Sequence, residues 1–151
     1  MKHIAIVIPV LLSLLPIAPA NARNVEQWSY EDLFTKSDFV VIAEPASKTR
    51  DTRERNVLTY NISPGVAVIG VTTEFESLLV LKGPKRKKFV LHHYRLAPFD
   101  GVMLNGPGLI SFNPEPLPPS FLMFLVRESD GRYAPVAQQT DLFTSVKQLP
   151  L

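Results

Sequence analysis

The stretch 66–81 constrains this chain more than any other part of it. Within it Val71, Thr73, Phe75 and Ser77 alternate with Thr72, Glu74, Glu76 and Leu78. A period of two belongs to a strand with one face on a core and the other toward solvent. So long a strand presents extended edges, and a small protein covers such edges by pairing or by closing the sheet on itself. Gly70 inside the stretch is expected to mark a bulge. Lys82-Gly83-Pro84 ends it with turn chemistry.

Further strands follow from the same reasoning. Residues 39–44 are apolar almost without interruption, as in a strand buried on both faces, and Pro45 blunts their end. Residues 88–96 place Phe89, Leu91, His93 and Arg95 on one face and Val90, His92, Tyr94 and Leu96 on the other. Residues 121–127 form an apolar strand, and Ser129-Asp130-Gly131 is a hairpin signal leading into residues 133–136. A short strand is expected at 109–112. The polar segment 47–56 reads as a loop or projecting turn, and 57–63 and 138–151 specify no clear element. Pro114, Pro116, Pro118 and Pro119 keep 113–120 extended and out of any central strand. Ser29 and Asp32 have capping-box spacing, with Trp28 before the cap and Leu33 four residues on, so a short helix should end near Ser37-Asp38. Five or six strands and one short N-terminal helix predict an all-β chain in a small closed or partly closed barrel.

The N-terminus speaks to location. Lys2 and His3 precede an apolar run over 4–15, and Ala20-Asn21-Ala22 is a small-x-small site. These are the three regions of a secretory signal peptide. The run is shorter than the ~20 residues of a membrane-spanning helix. Cleavage after Ala22 is expected, leaving one domain over 23–151 with no stable membrane span. The chain has no cysteine. A small secreted domain without disulfides suits a bacterial periplasmic or extracellular protein with a self-sufficient core. With 16 Lys and Arg against 14 Asp and Glu, the net charge is only +2. That near balance argues against a dedicated nucleic-acid binder.

The order of these features resembles the netrin-like or TIMP-like module, an OB-fold barrel. The matching pieces are Ser37-Asp38-Phe39-Val40-Val41-Ile42-Ala43-Glu44 and Thr73-Glu74-Phe75-Glu76-Ser77-Leu78-Leu79-Val80-Leu81-Lys82-Gly83. They continue with Phe121-Leu122-Met123-Phe124-Leu125-Val126-Arg127 and Asp130-Gly131-Arg132-Tyr133-Ala134-Pro135-Val136. The resemblance implies a small five-stranded OB-like barrel that binds partners on an open face or through its loops. Metalloproteinase inhibitors of this family place an N-terminal cysteine on the protease zinc. This sequence has no cysteine to do so.

Candidate sites are few. Lys82, Lys85, Arg86, Lys87 and Lys88 crowd one turn between two strands. They suit contact with a polyanion: phosphate head groups, an acidic polysaccharide or an acidic protein of the envelope. A solvated hairpin that keeps a sheet edge soluble is the favoured reading of the same charges. His92 and His93 are neighbours on one strand, so they point to opposite faces and do not share a metal. One is expected packed and the other exposed. Glu74 and Glu76 share a strand face about 7 Å apart, a spacing compatible with glycosidase chemistry, but alternating surface glutamates on a half-exposed strand are far commoner. The loop 97–119 carries Phe99, Met103, Leu104, Phe112 and Leu117, expected to tuck under as a satellite core rather than present a patch.

There is no Gly-x-Ser-x-Gly elbow and no cysteine nucleophile. The seven glycines form no phosphate-cradling loop. No catalytic residue, cofactor or metal set is assigned. The expectation is an exported binding or interaction module. A small envelope hydrolase and an envelope structural protein are the alternatives.

Overall fold

The computed structural model describes residues 27–58, 66–98, 110, 112, 114, 118–137 and 142–150. The signal-peptide segment, most of the loop 97–119 and half of the strand expected at 109–112 lie outside them; Ile110 and Phe112, the described half, are not in a strand. Among the described residues no helix is long and apolar enough to cross a membrane.

The chain enters through α1 (Tyr30–Lys36). Ser29 caps it, its hydroxyl accepting the Asp32 backbone N–H at 3.0 Å, and Glu31 and Asp32 occupy the first turn. The helix buries Leu33 against Val40, Phe124 and Ala137, and Trp28 packs on the same group. Strand β1 (Phe39–Pro45) follows, then β2 (Arg50–Leu58), β3 (Val66–Lys82) and β4 (Lys88–Leu96). A hairpin of β5 (Phe121–Arg127) and β6 (Tyr133–Pro135) leads to α2 (Leu142–Ser145) and β7 (Val146–Gln148).

The pairing runs β1-β3-β4-β6-β5 and returns from β5 to β1, so five strands close into a barrel. The β4–β6 pair is parallel and the others are antiparallel. Counted along the chain the barrel strands lie in the order 1-2-3-5-4, the partly crossed ring of an OB-like barrel. Strands β2 and β7 add to it on β3 and β5. The interior is strongly aromatic. Phe39 packs on a tilted Tyr133 ring at 4.9 Å between ring centroids, Phe75 meets Phe112 at 5.0 Å, and Phe112 meets Phe121 at 5.1 Å. Phe112 is the described part of the long loop that tucks inward. Phe99, Met103, Leu104 and Leu117 lie outside the described residues.

The segment expected as a polar loop at 47–56 is mostly strand. β2 pairs with the first half of β3, from Arg50 opposite Thr72 to Leu58 opposite Val66. Its sequence looks like a loop because it lies at a sheet edge and buries almost nothing apolar. Side chains hold it instead. On the face carrying Val71, Asp51 accepts from Arg95 of β4, at 2.8 Å from Nε. On the other face Glu54 of β2 reaches Tyr94 of β4. Opposite Gly70 the β2 register slips between Asp51 and Arg55. A Cβ on Gly70 would meet Thr52 Oγ1 at 2.8 Å and Glu54 Cβ at 2.9 Å. The expected bulge is therefore present, carried by the partner strand and admitted by the glycine.

Two more bulges lie on β3 against β1. Ile42 pairs with Leu79 and Ala43 with Ser77, leaving Leu78 over. Val41 pairs with Val80 and Val40 with Lys82, leaving Leu81 over. Each extra residue disturbs the alternation. Up to Phe75 the odd-numbered residues face the barrel. Beyond the first bulge Val80 packs on the core, while Leu78, Leu79 and Leu81 are exposed.

Candidate functional site

The β3–β4 connection is short and firmly seated. Gly83 has φ +94°, and the Ser77 N–H donates to the Lys87 carbonyl at 2.8 Å. The turn projects Lys85, Arg86, Lys87 and Lys88 into solvent. Among the described residues Lys87 has a carboxylate within ion-pair reach, Glu76 at 3.5 Å. The structure thus brings four of the five sequence-derived cations together. Lys82 belongs elsewhere. Its Nζ donates to the Phe34 carbonyl at 2.7 Å and the Thr35 carbonyl at 3.0 Å, and lies 5.2 Å from the Phe34 ring centroid. It satisfies carbonyls at the C-terminus of α1, where a cation also meets the negative end of the helix dipole.

The tip also has an apolar component that sequence reasoning did not single out. Leu78, Leu79 and Leu81 are 54%, 53% and 48% exposed. Leu78 and Leu79 share a shallow open groove with Lys85, Arg86 and Lys87. The consecutive leucines were visible in the sequence, but simple alternation buries every second one. Only the bulges turn all three outward.

A second cluster surrounds His92. The expectation of one packed and one exposed histidine does not hold: both are buried, His92 at 2% exposure and His93 at 4%. They do point to opposite faces. His93 faces the barrel interior, edge-on to Phe112 at 5.5 Å. Neither of its ring nitrogens has a hydrogen-bond partner among the described residues. Burial lowers its pKa to about 4, so at neutral pH it is an uncharged part of the core.

His92 faces outward but is covered by two glutamates that its sequence neighbours do not reveal. Its Nδ1 lies 2.9 and 3.0 Å from the two Glu128 carboxylate oxygens. Its Nε2 lies 3.1 Å from Glu54 Oε2, off the line of a hydrogen bond. The other Glu54 oxygen accepts from the Tyr94 hydroxyl. Burial, and then the Glu54 carboxylate, hold that hydroxyl above its usual pKa, so it stays a donor. Arg132 completes the group, its Nε 2.6 Å from Asp130 and 3.4 Å from Glu128. Glu54 comes from the β2 bulge over Gly70, and Glu128 from the β5–β6 turn, where the Glu128 N–H donates to the Arg132 carbonyl at 2.8 Å. With both ring nitrogens facing carboxylates and almost no exposed surface, His92 ties β2 and the hairpin to β4 and leaves no face for a substrate. Glu128→Ala should destabilise the fold by about 2 kcal/mol, because it strips a buried ring of a charged partner. Glu54→Ala, at a more exposed position, should cost about 1 kcal/mol. Urea unfolding midpoints at constant slope measure both, and an unchanged Glu128→Ala midpoint would refute the tie.

Of the remaining candidates, Glu76 is engaged by Lys87 and Glu74 is exposed. Asp32, Asp51 and Asp130 are held below the usual carboxylate range by hydrogen bonds with Ser29, Arg95 and Arg132 respectively. Among the described residues no group of three or more His, Asp or Glu side chains is arranged to hold a metal ion. No protein-family model and no curated protein matches the chain. The class therefore rests on the fold: a small OB-like β-barrel with two additional strands, carrying an exposed basic and apolar tip.

Proposed function

We propose that this chain is an exported binding module that takes a polyanionic partner on the β3–β4 tip. The observation that carries this reading is the set Lys85, Arg86, Lys87 and Lys88, exposed together on a seated turn with a single ion pair among the described residues. Four like charges held close raise the local potential although the whole chain is nearly balanced. Loops at the end of a rigid barrel are where such folds carry binding residues. The netrin-like resemblance agrees with a partner-binding role, without the cysteine-based inhibition of that family. Export to the periplasm or the medium rests on residues 1–22.

Two measurements test the reading. Mass spectrometry of the chain recovered from the producing cells should show an N-terminus at Arg23; an intact N-terminus would overturn export. Polyphosphate binding should be salt-sensitive in the native chain. It should fall at least about tenfold when Lys85, Arg86, Lys87 and Lys88 are all replaced by Gln, with the unfolding midpoint unchanged. Equal binding by the two chains would remove the tip from the site.

A further inference from the structure

The leucines at the tip have no use in the barrel as it stands. Leu78, Leu79 and Leu81 are each about half exposed on a strand paired with β1, not on a loop. Their outward direction comes from two bulges within six consecutive β3 residues, where uninterrupted alternation would have kept part of the run inside. Leu78 and Leu79 adjoin the basic turn: the Ser77 N–H is bonded to the Lys87 carbonyl, and the two leucines line one groove with Lys85, Arg86 and Lys87. A soluble polyanion engages the cations and offers the leucines nothing. An anionic bilayer offers both components, phosphates at the surface and acyl chains beneath.

Building on the polyanion reading above, we infer that the tip docks on an anionic lipid surface. Lys85, Arg86, Lys87 and Lys88 meet headgroup phosphates, and Leu78, Leu79 and Leu81 enter the acyl margin. Attachment is peripheral and reversible. Neither component suffices alone: cations without leucines give a salt-labile contact, and three half-exposed leucines without cations bury too little area to hold the protein. The strand is already ordered by its pairing with β1, so docking orders little new backbone.

The test uses the processed chain recovered from the producing cells, sedimented with vesicles of equal parts phosphatidylglycerol and phosphatidylcholine, or of phosphatidylcholine alone. Polyphosphate binding is measured beside it. The native chain should bind the anionic vesicles and not the neutral ones. Replacing Leu78, Leu79 and Leu81 together by Ser should weaken vesicle binding at least about tenfold and leave polyphosphate binding within about twofold. The four-Gln variant should lose both. Leu79→Trp keeps an apolar side chain and reads insertion directly, as a blue shift of emission on anionic vesicles that should survive if the triple variant folds poorly. Native binding to polyphosphate without binding to vesicles would overturn the lipid inference and leave the polyanion reading standing. So would equal vesicle binding by the triple-Ser variant, or Leu79→Trp emission that does not shift. Native binding to neither probe would overturn both.

Discussion

Gly83→Ala should destabilise the protein by about 4 kcal/mol, the largest effect expected of a methyl group added to any of the described glycines. Two costs combine. Gly83 sits at φ +94°, which L side chains rarely adopt, and a Cβ there would lie 2.3 Å from the Asp38 carbonyl oxygen and 3.3 Å from Phe39 Cα. The obstacle is backbone that has little freedom to retreat. The Asp38 N–H donates to the Leu125 carbonyl at 2.9 Å, its carboxylate accepts the Arg127 N–H at 2.9 Å, and Phe39 begins the strand that closes the barrel. Gly131 is the built-in control. Its φ is +90°, yet nothing lies within 4 Å of a Cβ placed there, so Gly131→Ala carries the conformational cost alone, about 1–2 kcal/mol. Urea denaturation of the two variants separates the terms. Equal losses would show that the close approach to Asp38 carries no weight. Because Gly83 seats the basic turn, the variant should also weaken polyphosphate binding under conditions where it remains folded.

Acid should remove about 3 kcal/mol of stability through His93 alone. The unfolded chain takes up this proton near pH 6.5, and the folded chain only near pH 4 because burial penalises the imidazolium. Above pH 6.5 the ring is neutral in both states and the contribution is fully present. Between pH 6.5 and 4 the unfolded state holds more protons, so stability falls by about 1.4 kcal/mol per pH unit. Below pH 4 both states are protonated and this group adds no further loss. Carboxylates titrate in part of the same window, so the measurement is a difference. Stability is followed from pH 7 to 3.5 in the native chain and in His93→Leu, which cannot protonate. The native curve should fall more steeply between pH 6.5 and 4. Parallel curves would mean that His93 is not held neutral by the barrel.

The two histidines also show how a strand divides its chemistry. His93 is buried edge-on to Phe112, and burial keeps its neutral form. One residue away, His92 meets Glu128 on one nitrogen and Glu54 on the other. The same side chain is core filler on one face and a crosspiece on the other. Exposure of an imidazole therefore cannot be inferred from its position in an alternating strand.

Much of the barrel was legible because it depends on local chemistry. The Ser29 cap, the alternation through Phe75, the apolar runs of β1 and β5, and the Ser129-Asp130-Gly131 turn each act over a few residues. Each lies where short-range rules place it. The five strands of the barrel follow from their sum, while β2 and β7 do not. The basic turn was legible for the same reason, since four cations in four consecutive positions are consecutive in any fold. What tertiary structure alone decided are the relations across the ring. β2 is a strand only because β3 runs past the barrel and offers it an edge, with Asp51–Arg95 and Glu54–Tyr94 replacing the apolar burial that its sequence lacks. Lys82 leaves the basic turn because α1 ends beside it with bare carbonyls. Leu78, Leu79 and Leu81 face outward because β1 pairs with β3 through two bulges, a matter of register between segments far apart in the chain. Periodicity reports the face a residue would take on an ideal strand. The partner strand sets the face it takes.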